Sequence, residues 1–195
     1  MGSIVVAVWQ PDLPYVRGKN MNKGLIHLYC GDGKGKTTAA IGLAVRAAGS
    51  GMKVVILQFL KGRLVSELDS LKLIPGITIL RNEEDLGFFS AMSEEDKQKA
   101  MSYHNDNLQR VLQMVEDREC DLLILDEICA AYRLGMVDKE IINQLIINKR
   151  EDLELVLTGR DPDKLFLEYA DYVSEIKKIK HPYDKQINAR VGIEL

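Results

Sequence analysis

The chain has 195 residues, 46% of them hydrophobic and 28% charged, which suits one compact globular domain with a proper core. Its formal net charge of -3 offers no global attraction to nucleic acid, and no apolar stretch approaches the length of a membrane span. Three cysteines, Cys30, Cys120 and Cys129, form no C-x-x-C pair; they read as reduced, mostly buried thiols of a cytoplasmic protein rather than as zinc ligands.

Residues 1–20 differ from the rest. Met1-Gly2-Ser3 resembles a vector-derived scar, Met21 offers a second start, and Ile4–Trp9 is apolar without the basic region and cleavage site of a signal peptide. Two readings stand for this segment, vector-derived sequence or a natural arm that packs on the body or on a partner subunit. Residues 21–195 read as one domain.

The first core strand is predicted at Leu25–Tyr29. It runs into Cys30-Gly31-Asp32-Gly33-Lys34-Gly35-Lys36-Thr37-Thr38, and a helical pattern of Ala39, Ala40, Ile41, Leu43, Ala44, Val45, Ala47 and Ala48 follows. Strand, glycine-rich turn and helix in that order form a phosphate cradle, in which turn amides and the helix N-terminus face an anion and a lysine neutralises it. The pattern Gly-x4-Gly-Lys-Ser/Thr places its first glycine where Cys30 stands. Gly31 comes one place late, so the loop is one residue short.

Further strands are predicted at 53–59, 77–80, 121–127, 153–158 and 172–179, and helices near 66–73, from the Ser93 cap to Val115, from Asp138 to Ile146, and over 162–169. Alternating strands and helices imply an α/β fold with a mostly parallel six-stranded sheet covered on both faces, whose ligands sit at the carboxyl ends of the strands. The phosphate loop, Phe59-Leu60-Lys61-Gly62, Asp126-Glu127 and Thr158-Gly159-Arg160 all fall at such ends.

Lys36 is the candidate triphosphate lysine and Thr37 the candidate magnesium ligand, with Lys34 and Thr38 as secondary contacts. Gly31, Asp32, Gly33 and Gly35 complete the cradle. A lysine at a helix N-terminus is electrostatically poor without an anion beside it. Asp126 and Glu127 end an aliphatic run, where an acid holds magnesium directly or through water. Arg160 suits a phosphate fork, a helix cap or a salt bridge. Phe88 and Phe89, after Gly87, fit either a flat hydrophobic ligand or the core. His27 reads as a satisfied strand residue, His104 as part of a helix face, and His181 as a loop residue. These residues define a nucleoside-triphosphate-binding protein without fixing the reaction.

Five strings in register resemble one family, the P-loop ATP:corrinoid (cob(I)alamin) adenosyltransferases. They are Gly31–Ala40 with its short loop, Gln58-Phe59-Leu60-Lys61-Gly62, Leu125-Asp126-Glu127-Ile128, Leu157-Thr158-Gly159-Arg160, and the tail Lys180–Asp184 with Ala189–Glu194. The resemblance runs from Gly24 to the C-terminus. It implies a RecA-like fold, a homodimer, and transfer of the 5′-deoxyadenosyl group of ATP to a Co(I) corrinoid with release of tripolyphosphate. It also implies magnesium held by Thr37 and Glu127, polar contacts from Lys61 and Arg160, and an electron donor such as a flavodoxin or flavin reductase. Phe88 matches the phenylalanine that packs on the lower face of the corrinoid. Two positions on, where family members often carry tryptophan, this chain has Ser90. The competing readings are a RecA-like ATPase or small-molecule kinase and a non-catalytic nucleotide sensor.

Overall fold

The computed structural model describes residues 23–60, 66–82 and 89–193; the expectations placed on residues 1–20, Lys61 and Phe88 lie outside these. Six strands, β1 (Ile26–Cys30), β2 (Val54–Gln58), β3 (Ile77–Arg81), β4 (Leu122–Asp126), β5 (Glu154–Gly159) and β6 (Tyr172–Glu175), form one sheet in the order β3-β2-β4-β5-β1-β6. Every pairing is parallel.

Six helices connect them: α1 (Lys36–Gly49), α2 (Glu67–Leu71), α3 (Glu94–Glu116), α4 (Ile128–Arg133), α5 (Lys139–Ile147) and α6 (Lys164–Tyr169). Strands β2 and β4, both inside the sheet, are buried along their whole length, because helices cover both faces. Alternate side chains therefore enter two separate cores. Val55, Leu57, Leu123, Leu125, Leu155 and Leu157 pack with residues of α3, α4, α5 and α6. Val54, Ile56, Leu122, Ile124 and Val156 pack on the other face with Ala40, Ala44 and Ala47 of α1 and Leu71 of α2. Each fully buried aliphatic side chain contributes roughly 2 kcal/mol. Only alanines of α1 are buried on its hydrophobic side, so the helix that carries the phosphate loop lies close against the sheet.

The caps form where the sequence places them. The Ser93 hydroxyl accepts the Asp96 N–H at 3.1 Å, with Glu94, Glu95 and Asp96 in the first turn of α3. Asp138 accepts the N–H groups of Glu140 and Ile141 at the start of α5. Two elements differ from expectation. The strand expected at 172–179 stops at Glu175, because only its Tyr172–Glu175 stretch pairs with β1. The short α4, directly after the acidic end of β4, has too few turns to show a helical period.

His104, on the buried face of α3, ties three elements together. Its Nε2 accepts the Leu60 N–H at 3.3 Å and its Nδ1 lies 3.1 Å from the Met136 carbonyl, so the ring is neutral and carries its proton on Nδ1. Burial pushes its pKa below the usual imidazole value, the Met136 carbonyl opposing that shift. His27 bonds the Glu154 carboxylate and stacks on Tyr172, as a satisfied strand residue should. The three cysteines are free and buried, and burial pushes the Cys120 and Cys129 thiols up to about 12.

Candidate nucleotide site

The loop between β1 and α1 is shaped by its glycines. Gly31 has φ 103° and Gly35 φ 124°, left-handed-side conformations that side chains resist. A Cβ on Gly31 would lie 2.4 Å from the Ile176 carbonyl oxygen, because the chain beyond β6 crosses directly over the loop. No side chain caps α1, and no acidic residue stands in its first turn. Its N-terminal N–H groups and positive dipole end are therefore presented to an anion.

Lys36 is buried, only 7% exposed, with its Nζ donating to the Gly33 carbonyl at 2.8 Å. Burial pushes its ammonium below the usual range; the Glu127 carboxylate opposes this and the Arg160 guanidinium adds to it. A polyanion bound beside Lys36 reverses both unfavourable effects.

Next in sequence to the lysine, Thr37 joins a network with Asp126, Thr158 and Gln58 at strand ends and the backbone of Glu127. The Thr37 hydroxyl donates to Asp126 Oδ1 at 2.9 Å, and the Thr158 hydroxyl donates to the same oxygen at 2.7 Å. Thr158 Oγ1 in turn accepts the Glu127 N–H at 2.9 Å. Gln58, opposite Asp126 in the β2–β4 register, adds a long contact from Nε2 to Oδ2 at 3.4 Å. Asp126 is 1% exposed and faces these donors, whereas Glu127 is half-buried and lines the open cavity. A left-handed backbone at Glu127, φ 63°, turns the chain there from β4 into α4 and sends the two neighbouring acids in different directions.

The cavity measures about 630 Å³ and brings together Lys34, Lys36, Thr37, Thr38, Glu127 and Arg160. Arg160 follows Gly159, whose φ of 144° and 2.6 Å Cβ approach to Cys129 admit no side chain. Asp32 also borders the cavity, but its Oδ1 accepts the Lys178 N–H at 2.9 Å; that bond holds its carboxyl below the usual range. Phe89 packs on the core of the α3 face with Lys97 5.1 Å from its ring centre. Sequence reasoning missed Thr158 and Gln58 as site residues. Both lie in strings that carry the family resemblance, but a lone hydroxyl and a lone amide at the ends of aliphatic strands gave them no role of their own.

A parallel six-stranded sheet with this loop, buried lysine and strand-end acid pair defines a P-loop nucleotide-binding α/β protein of the RecA-like class. A KaiC-like protein from Pyrococcus horikoshii OT3 shares the fold, with a TM-score of 0.51 at 17% identity over 81% of this chain and 75% of that one. Residues 22–195 match the family model for ATP:corrinoid adenosyltransferase BtuR/CobO/CobP, and the chain belongs to that family. It is 30% identical over 172 residues to the corrinoid adenosyltransferase of Escherichia coli K12, covering 88% of this chain and 86% of that protein. The corrinoid adenosyltransferase of a Sinorhizobium species is 30% identical over 183 residues, 90% of this chain and 82% of its own. The protein is thus a transferase that uses ATP and a corrinoid, and the ATPase or kinase reading is not favoured.

Proposed function

We propose that the phosphate loop of this adenosyltransferase holds the triphosphate of ATP as a leaving group. The Co(I) centre of the corrinoid substrate donates its electron pair to the ribose 5′ carbon. The bond from that carbon to the α-phosphate oxygen breaks, and its electron pair leaves on tripolyphosphate. The protein's contribution is positioning and charge stabilisation. Lys36 and the amides at the start of α1 meet the developing negative charge, with Lys34, Thr38 and Arg160 at the cavity wall as further contacts.

The observation that carries this reading is the buried Lys36 next to Thr37, whose hydroxyl enters the Thr37–Asp126–Thr158–Glu127 network, with Lys36, Thr37 and Glu127 bordering one cavity. Hydroxyl and carboxylate oxygens are the donors Mg2+ prefers, and one or two protein ligands suffice when phosphates supply the rest. Thr37 and Glu127 would hold it; Asp126 orients the Thr37 hydroxyl. The ion supplies charge neutralisation to the phosphate chain.

The enzyme works as a cytoplasmic homodimer served by a low-potential electron donor such as a flavodoxin or flavin reductase. Free buried cysteines fit a reducing compartment. Ile179 and Val191, each 84% exposed, fit a face that a second copy covers. The family resemblance assigns Phe88 to the corrinoid's lower face and Lys61 to the phosphates.

An anaerobic assay with ATP, Mg2+ and chemically reduced corrinoid tests the reaction. Adenosylcorrinoid and tripolyphosphate in equal amounts are expected. ADP and orthophosphate with no cobalt–carbon bond would overturn it.

A further inference from the structure

The chain beyond β6 does more than close the sheet. It is bound onto the phosphate loop at three points: Gly33 N–H donates to the Ile176 carbonyl at 2.8 Å, Ile176 N–H to the Cys30 carbonyl at 2.8 Å, and Lys178 N–H to Asp32 at 2.9 Å. Gly31 and Gly33 permit this approach, since a Cβ on either would fall within 2.7 Å of the Ile176 carbonyl oxygen. The segment so anchored walls a second concavity of about 420 Å³. Gly33, Lys34, His181 and Ile193 border both this pocket and the nucleotide cavity, so the two adjoin.

The second pocket is cationic. Lys34, Lys177, Lys178, Lys180 and Arg190 line it, together with His181, and among the described residues no acidic side chain does. This is a local arrangement, because the chain as a whole carries a net charge of -3. Lys177 pairs with Glu175 at 3.1 Å and Lys178 with Asp184 at 3.0 Å, both at exposed surface where such pairs contribute little. Among the described residues, Lys34 and Lys180 form no ion pair. Cations gathered in a concavity repel one another, and an anion placed among them removes that cost. A phosphate chain, with charge on every phosphoryl group, matches several cations in a row. Among the described residues the lining has no Phe, Tyr or Trp, and so no stacking platform for the bases of a nucleic acid.

We propose that this pocket is a second phosphate subsite, taking phosphoryl groups of a polyphosphate chain whose other end lies in the phosphate loop. The inference rests on the loop's role as a triphosphate site. The chain has two sources, the triphosphate of bound ATP and free tripolyphosphate after the carbon–oxygen bond has broken.

Calorimetric binding to the full chain without corrinoid separates the possibilities, with inorganic tripolyphosphate, pyrophosphate and ATP as probes. Lys180→Glu should raise the tripolyphosphate dissociation constant about tenfold and the pyrophosphate constant less than twofold, since the shorter chain stays in the loop. If bound ATP reaches the pocket, its dissociation constant rises with that of tripolyphosphate. If only the released product does, ATP binding is unchanged and inhibition of adenosyl transfer by tripolyphosphate weakens about tenfold. Lys180→Gln, a milder change, should raise the tripolyphosphate constant in the same direction should Lys180→Glu fold poorly. Tripolyphosphate binding within twofold of the unaltered protein in both variants would overturn the subsite. Lys36→Ala reports on the loop separately: it should weaken all three probes, and if it weakens none, the triphosphate reading itself fails.

Discussion

Asp126 and Glu127 are neighbours in sequence with different surroundings. The first lies in the sheet, where hydroxyls of Thr37 and Thr158 donate to it; the second borders open space. Thr158 links them, donating to one carboxylate and accepting the backbone N–H of the other residue. Thr158→Val keeps the shape and removes both bonds. It should lower stability by about 1–3 kcal/mol in urea unfolding and raise the Mg2+ concentration needed for half-maximal ATP binding about tenfold or more. Lys36→Ala should lower adenosyl transfer at least a hundredfold in the anaerobic assay while leaving circular dichroism unchanged, because one preorganised donor to developing negative charge is commonly worth that much. The sequence made Lys36, Thr37 and Glu127 legible, because the Gly-Lys-Thr tail and an acid pair after an aliphatic strand are spacing signals. It could not separate the roles of Asp126 and Glu127, which depend on a left-handed turn at Glu127. Nor could it show that Asp32 faces the tail, a contact with a residue 146 positions away.

At the level of elements, the fit between β5 and α4 is tight where Gly159 faces Cys129. Gly159→Ala sets a methyl group 2.6 Å from Cys129 Cβ at a φ of 144°, so both sterics and backbone oppose it. A loss of about 2–4 kcal/mol is expected from the urea midpoint, with ATP binding weakened because Arg160 follows directly. His104 joins α3 to the end of β2 and to the Met136 carbonyl as a neutral ring. Its pKa is depressed in the folded state, so below about 6.5 the unfolded chain binds a proton that the native state refuses. Stability is therefore unaffected by this group above that pH and falls as pH drops from there towards the depressed native value. His104→Gln, which does not titrate, should show a smaller drop in urea midpoint between pH 7.5 and 5.5 than the unaltered protein; an equal drop would remove His104 as its source. Strands 121–127 and 153–158 were legible in sequence because burial on both faces leaves continuous aliphatic runs. The end of β6 was not: past Glu175 the chain leaves the β1 ladder and crosses the phosphate loop, where Ile176 bonds Cys30 and Gly33, and no sequence signal marks that departure.

For the whole molecule, the sheet order places the ends of β1, β2, β4 and β5 side by side, so residues from Gly31 to Arg160 converge on one rim. Tyr172 and Val173 of the edge strand β6, and Ile179 and Val191 of the segment that follows it, are exposed apolar side chains. Sedimentation should give twice the chain mass, and Val191→Asp with Ile179→Asp should shift the equilibrium towards monomer; a monomer in the unaltered protein would refute the homodimer. The central claim is that the loop holds a leaving group whose reacting bond lies at the ribose end of the nucleotide. The most direct measurement is adenosyl transfer with adenosine 5′-(β,γ-imido)triphosphate, whose terminal phosphoryl group resists transfer. The account predicts cobalt–carbon bond formation at a rate comparable to that with ATP and release of the intact imido-tripolyphosphate. Turnover with ATP but none with the imido analogue, despite its binding, would contradict it.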